Sequence, residues 1–252
     1  MGNLTVRVIN LKTDEARRQS VTENLGAFNG GNWRFFNAMR SDSPSDYVSD
    51  PAQQLIRFGR ELGPGEIGCF KSHAAVMQAF VQDGESDWLL VLEDDVWVDT
   101  GFDYQNVITI AEKLDIAYVR LYAKRFKPGT VIHGWHEHQL VRFKTDPYGT
   151  QAYLINKAGA RRFLASVKAI TMPIDDELGR FWANGLDLYA VYPFPVIEKS
   201  ARSNIAGERA RRKADLKEVA LAHTWFRISE KLAKTLSNLK FLIAVRGLKR
   251  PL

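Results

Sequence analysis

The sequence predicts an α/β fold, a mixed and mainly parallel sheet flanked by helices, from three observations. Short β-rich segments alternate with stretches of helical length and spacing. Residues 88–92 (WLLVL) are apolar throughout, as a strand covered on both faces must be. Three acids, Glu93, Asp94 and Asp95, follow that run directly, at the strand's carboxyl end where open sheets of this kind bind ligands.

Residues 5–11 (TVRVINL) read as the first strand, and residues 14–25, with acids in their first turn, as the helix after it. A second short strand is predicted over 34–38 (RFFNA), then a Ser-, Asp- and Pro-containing loop over 40–51. Ile67, Phe70, Ala74, Met77 and Val81 recur at helical spacing, so a helix should run from Gly65 or Glu66 to Gln82. Beyond the apolar strand, a helix is expected over 104–113 and a strand over 116–122. An irregular Gly- and His-bearing region able to hold a hairpin comes next. Residues 151–155 (QAYLI) form a further strand, with Asn156 as N-cap of a helix reaching Val167. The last strand, over 187–192, is closed by Pro193 and Pro195.

At 252 residues the chain can bury an α/β core without disulfides, and its 45% hydrophobic and 25% charged content excludes a disordered, collagen-like or coiled-coil chain. Cys69 is the only cysteine, so neither a disulfide framework nor a Cys-based zinc site is expected, and a reducing compartment fits. The first residues, MGNLTVRVINLK, lack a signal-peptide pattern and no apolar run is long enough to span a bilayer, so a cytoplasmic protein with at most peripheral membrane contact is expected. Charge is uneven. Residues 207–252 carry 12 Lys/Arg against 4 acids, which places an excess of +8 in the tail and leaves the body near −2 of the total +6. The expected organisation is a catalytic domain over 1–206 and a basic helical tail over 207–252.

Several residues can carry chemistry. On an extended chain, side chains two apart project to the same side, so Glu93 and Asp95 could share one hard divalent cation and leave room for diphosphate oxygens; the plainer alternative is an acidic turn at a strand end. Asp175 and Asp176, after Met172, Pro173 and Ile174, precede a short helix containing Leu178, Phe181 and Trp182. They read either as a helix cap or as a general base for a hydroxyl nucleophile. The Gly65–Gly68 turn opens a helix whose free N–H groups favour anions, with Lys71, Ser72 and His73 as further donors. Arg17 and Arg18 would ordinarily be surface charge. Cys69 reads as a small buried residue, and His133, His136 and His138 as hairpin histidines rather than a zinc site.

In this order the blocks resemble glycosyltransferase family 25, whose bacterial members include lipo-oligosaccharide galactosyltransferases. Val8-Ile9-Asn10-Leu11 with Arg17 is similar to the family's opening strand, and Gly65-Glu66-Ile67-Gly68-Cys69 with Ser72-His73 to its second block. Leu92-Glu93-Asp94-Asp95 is similar to its acidic block. Gly149 through Ile155 with Gly159-Ala160 resembles the next strand and helix, and Pro173-Ile174-Asp175 the later acidic one. The likeness spans residues 5–205. It implies a GT-A-like fold, a UDP-sugar donor with galactose foremost, Mn2+ or Mg2+, and inversion at the anomeric carbon. It also implies metal or donor contacts at Glu93 and Asp95, with Asp94 beside them, and a catalytic or sugar-binding acid at Asp175. Nucleotide contacts are implied at Asn10 and Arg17, and less directly at Lys71, Ser72 and His73. The acceptor implied is a glycan or lipid-linked glycan.

Beyond residue 203 the tail speaks for itself. Leu232, Leu236, Leu239 and Ile243 form a helical apolar stripe interleaved with Lys231, Lys234, Lys240 and Arg246. Such a helix suits either an anionic membrane interface at the inner face of the inner membrane or the protein's own body. Two other functions fit parts of the pattern. The tail with Trp225 and Phe226 could contact nucleic acid, although no nucleic-acid motif is present and the charge lies outside the body. The acids could equally serve a metal-dependent phosphohydrolase.

Overall fold

The computed structural model describes residues 2–28, 30–199 and 219–248, the side chains of 245–248 excepted. In chain order the strands are β1 (Leu4–Asn10), β2 (Trp33–Asn37), β3 (Trp88–Glu93), β4 (Val96–Val98), β5 (Tyr118–Arg120), β6 (Gly129–Trp135), β7 (His138–Phe143), β8 (Ala152–Asn156), β9 (Tyr189–Tyr192) and β10 (Val196–Glu198). The helices are α1 (Glu15–Leu25), α2 (Pro51–Arg57), α3 (Pro64–Gln82), α4 (Tyr104–Lys113), α5 (Lys157–Ser166), α6 (Ile174–Gly179), α7 (Phe181–Asn184) and α8 (Ala220–Leu248).

Eight strands form one sheet in the order β2-β1-β3-β8-β5-β9-β7-β6, while β4 and β10 make a separate two-stranded ribbon. β1 is parallel to β2 and β3, and β5 to β9; β8 runs antiparallel between β3 and β5, and β7 antiparallel between β9 and β6. Six of the eight strands therefore point one way, which is the mixed, mainly parallel α/β sheet expected.

The unbroken apolar run of β3 follows from helices on both faces. Leu89 and Val91 enter a core with Phe70, Met77 and Phe80 of α3 and Phe163 of α5. Their neighbours Leu90 and Leu92 point the other way, into a core with Val21 and Leu25 of α1 and Tyr104, Val107 and Ile108 of α4. Asp14 caps α1 and Asn156 caps α5, each accepting a backbone N–H three residues on.

Some expected elements differ. The strand over 116–122 is only three residues of ladder, and the helix after Pro173 breaks in two at Arg180, whose backbone leaves the helical region while its guanidinium is held by Glu177 and Glu230. The ribbon strands β4 and β10 are too short for a period to reveal them.

The described part of the tail, residues 219–248, is helical and docked. Its boundary at Gly207 lies outside the described residues. α8 packs on α2 and α7: Glu230 takes both Nε and Nη2 of Arg180 at 2.6 and 2.7 Å, His223 Nδ1 meets the Ile56 carbonyl at 2.8 Å, and Asn238 donates to the Lys144 carbonyl at 2.9 Å. The buried Arg142 stacks on Phe241 at 4.1 Å and bonds Asp187 and Asn238. Of the two fates expected for the tail, self-docking is thus present, yet only on one side. Leu221, Trp225, Ile228, Leu232, Leu236, Leu239 and Ile243 remain 45–73% exposed. At about 100° per residue they fall on one stripe, roughly opposite Glu230 and Phe241. Among the described residues no helix is long and apolar enough to cross a membrane.

Candidate functional site

Because β1, β2 and β3 are parallel, their carboxyl ends open on one edge; the reversal of β8 brings the loop that precedes it to the same edge. A cavity of about 1130 Å³ lies there. It is lined by residues after β1 (Leu11, Asp14, Arg17), β2 (38–42) and β3 (Glu93, Asp94, Asp95), by the first turns of α3, by 148–151, by Asp175, and by Glu198. This is the position open α/β sheets use for ligands, and the volume suits a nucleotide sugar.

The three acids of the β3 exit have different surroundings. Asp94 is committed: Asn10 Nδ2 donates to it at 2.7 Å and Arg17 Nη1 at 2.5 Å, while Arg18 steadies Asn10 Oδ1 at 3.2 Å. Arg17 reaches it because the Asp14 cap fixes the first turn of α1. Glu93 accepts from Thr150 Oγ1 at 3.0 Å and faces His73 Nε2 at 3.5 Å, a separation of ion-pair length. Burial opposes ionisation of Glu93, but His73 and the Thr150 hydroxyl outweigh it, and the carboxyl is held below its ordinary value.

Asp95 is the exception. Its Oδ1 is buried without a hydrogen-bond partner, and its closest cation is Arg17, at 3.7 Å from Oδ2. Burial first, then the charge of Glu93, push its carboxyl up to about 7, with Asp94 and Glu198 adding and Arg17 opposing. An orphaned buried oxygen beside a second carboxylate fits a hard divalent cation, which would supply the missing positive charge. A softer donor group also meets on Glu93: ligand atoms of Cys69, His73 and Glu93 lie within 4.8 Å of one another. Among the described residues no other group of three His, Cys, Asp or Glu side chains converges in this way. Among the described residues the hairpin histidines form no such group, and His136 occupies the turn with φ 45°.

The remaining expected residues divide. Ser72 lines the cavity while bonding Met39 N and the Gly68 carbonyl at 2.7 Å each, and His73, fully buried, is oriented by the Tyr153 hydroxyl at 2.9 Å. Gly68 allows this close fit, because a Cβ there would meet the Met39 carbonyl at 2.7 Å. Lys71 is not at the cavity: its ammonium donates to the carbonyls of Ser41 and Ser43 at 2.7 Å each and so ties down the loop after β2. Asp175 lines the cavity and Asp176 does not; Asp175 Oδ1 accepts the Asp176 N–H at 3.1 Å. Neither is the N-cap of α6, a position held by Pro173.

Residues not singled out from sequence complete the site. Arg120, fully buried, holds the loop before β8 through Gly149 O at 2.7 Å and Asp146 at 3.1 Å. That loop delivers Thr150 to Glu93, with Gly149 at φ 91° making the turn. The block of residues 149–155 already pointed to Thr150; nothing local pointed to Arg120 or Glu198.

A family model described as glycosyltransferase family 25 (LPS biosynthesis protein) matches residues 3–178. The chain is 30% identical over 163 residues to "Probable inactive glycosyltransferase 25 family member 3" of Bos taurus and, over the same length, to "Inactive glycosyltransferase 25 family member 3" of Homo sapiens. Each match covers 57% of this chain and 27% of the relative, so the chain spans about a quarter of the length of these curated relatives. Among solved structures it is similar to A197 from STIV (13% identity, TM-score 0.42, 75% of this chain and 81% of that one). It is also similar to a glycosyltransferase involved in glycosylation of the major capsid of PBCV-1 (14%, TM-score 0.36, 65% of each).

Proposed function

The chain belongs to glycosyltransferase family 25, and on that premise we propose that it transfers a sugar, galactose foremost, from a UDP-sugar to a glycan or lipid-linked glycan acceptor, with inversion and with a divalent cation. The observation that supports this reading is Asp95: a partly buried carboxylate whose Oδ1 is buried without a hydrogen-bond partner, near Glu93, in a cavity large enough for the donor. Mn2+ or Mg2+ held by Glu93 and Asp95 would set positive charge against the leaving diphosphate. The chain's own residues do the rest. Arg17, anchored on Asp94, and the first turn of α3 present donors to phosphate oxygens. Asp175 accepts the proton of the acceptor hydroxyl as that oxygen bonds to the anomeric carbon and the bond to phosphate breaks. Its presence in the cavity lining favours it over Asp176. Since the two curated relatives carry the word inactive in their names, activity here has to be judged on this chain's own carboxylates.

A thermal-shift screen of nucleotide sugars with Mn2+ tests the reading. A selective rise with one UDP-sugar, reversed by chelator and followed by sugar transfer to a glycan acceptor, supports it. Binding of generic RNA or DNA without any UDP response, or donor hydrolysis without an acceptor-linked product, would replace it with a nucleic-acid-binding or phosphohydrolase function.

In the same reading, a catalytic unit over 1–206 works at the cytoplasmic face of a bacterial inner membrane, and the 207–252 tail meets that surface. Support comes from the α8 stripe of Leu221 through Ile243, about 33 Å long, turned away from the body and flanked by Lys231 and Lys240. Because the opposite side of α8 is already occupied, the helix can lie in an anionic interface without undocking. Replacing Leu232, Leu236 and Leu239 together by Ser should release the protein from anionic liposomes with an unchanged melting temperature. Retained liposome binding, or a change from dimer to monomer, would assign the stripe elsewhere.

A further inference from the structure

Cys69 cannot make a zinc site out of cysteines, being the only one in the chain, but the fold supplies it with other partners. It stands one turn before His73 on α3, so the two side chains share a face of that helix. Glu93 meets them from the end of β3, and one ligand atom from each of the three residues lies within 4.8 Å of the other two. All three residues line the cavity.

The histidine points to a ligand. Its ring is fully buried and stacks 5.7 Å from that of Tyr153, and its Nδ1 lies 2.9 Å from the Tyr153 hydroxyl, which fixes its direction. Nε2 faces Glu93 Oε1 at 3.5 Å and is buried without a hydrogen-bond partner. That separation is long for a hydrogen bond, yet it matches the ~3.4 Å between a nitrogen and an oxygen bound tetrahedrally to one Zn2+. With the Nδ1 proton donated to the Tyr153 oxygen, Nε2 keeps its lone pair for a metal, and the Thr150 hydroxyl, donating to the same Glu93 oxygen at 3.0 Å, steadies the carboxylate. A thiolate, a carboxylate and a neutral imidazole together carry two negative charges, which a divalent ion neutralises.

We propose that Cys69, His73 and Glu93 bind a thiophilic divalent cation of the Zn2+ class, which competes for Glu93 with the hard cation of the reading above; the competition, though not the binding, rests on that reading. The Cys69 thiol releases its proton to solvent as its sulfur bonds the metal, and the fourth position opens on the cavity. Sulfur and imidazole favour Zn2+ over Mn2+ or Mg2+, which prefer oxygen donors. Zn2+ is then an inhibitor, because filling this site takes a carboxylate from the cation that faces the donor diphosphate.

Cobalt reads the site directly: a thiolate bound to Co2+ gives a charge-transfer absorption in the near ultraviolet, and a single cysteine is present to produce it. The chelator-treated full chain, Cys69→Ser, His73→Gln and Asp95→Asn, each checked by its metal-free melting temperature, are titrated with Co2+ and then with Zn2+. The unmodified chain should develop the band and lose it to Zn2+. Cys69→Ser should lack the band and bind Zn2+ about 100-fold more weakly, His73→Gln should weaken both ions by about 10–100-fold, and Asp95→Asn should keep the band. An unmodified chain without the band, or a folded Cys69→Ser that binds Zn2+ as the unmodified chain does, overturns the assignment. In the presence of UDP, Zn2+ should also displace bound Mn2+, seen as a rise in the EPR signal of the free ion; bound Zn2+ that leaves Mn2+ in place overturns the sharing of Glu93. If no Mn2+ binds at all, the hard-cation reading falls, and the cobalt band alone decides the thiophilic site.

Discussion

Under α8, Arg180 and Arg142 are buried against acids and aromatic faces, although Arg57, stacked on Phe226, keeps an unbonded Nε and has Glu177 3.8 Å from its Nη2. Arg180 is shared by Glu177 and Glu230, and Arg142 has Asp187, Asn238 and the faces of Phe181 and Phe241. At the exit of β3 the count fails: Arg17 and His73 attend to Asp94 and Glu93, and Asp95 keeps an unbonded buried oxygen. Both regions bury ionisable groups at a cost that only partners offset. The first lies beneath a packed helix and holds the structure together; the second opens on a cavity, and an incomplete charge set there is what a ligand completes.

The largest expected effect tests the open side. Asp95→Asn should lower cation-stimulated transfer by on the order of 10³-fold while the fold persists, read by steady-state assay and circular dichroism. Full activity in that variant would remove the acid from the site and erase the contrast. Under α8, Arg180→Ala should destabilise the protein by about 1–3 kcal/mol in urea melts, because Glu230 loses its partner, yet leave transfer to a soluble acceptor unaltered. Equal loss of activity in both variants would mean that the two regions are one functional unit.

The smallest effect is a pH slope. In the metal-free protein the Asp95 carboxyl sits at about 7, above its ordinary 3.8. The native state thus holds this proton more tightly than the unfolded chain does. The stability it contributes is complete below about pH 4 and is lost as pH rises through about 7. Relative to the unmodified chain, Asp95→Asn should therefore melt higher by ~2–4 °C at pH 8 without metal, and the gain should shrink toward pH 4. A pH-independent difference would show that Asp95 is not strained by its neighbours.

The sequence made the sheet's centre and the acid turn legible for local reasons. A five-residue apolar run followed by carboxylates can be read from the chain itself, as can caps such as Asp14 and Asn156. Thr150 and Asp175 came with their neighbouring blocks. Lys71 misled, because a lysine near a Gly-bearing helix start looks the same whether it serves a ligand or, as here, the carbonyls of Ser41 and Ser43. Arg120 and Glu198 were silent because their roles depend on partners far along the chain. The tail was half readable: spacing gave the outward stripe, but its inner face depends on Arg142, Lys144 and Arg180, which no periodicity within α8 can disclose.

The reversed strand β8 has an evolutionary consequence. In an all-parallel sheet each strand gives the active edge one departing loop, whereas β8 gives it an arriving one, and that loop (146–150) is held by Arg120 through Gly149 and Asp146 and bonds Glu93 through Thr150. Insertions or exchanges in its outer part would reshape one wall of the cavity without disturbing a ladder bond, so a fold on this plan can change what the cavity admits while the acids at the β3 exit stay in place.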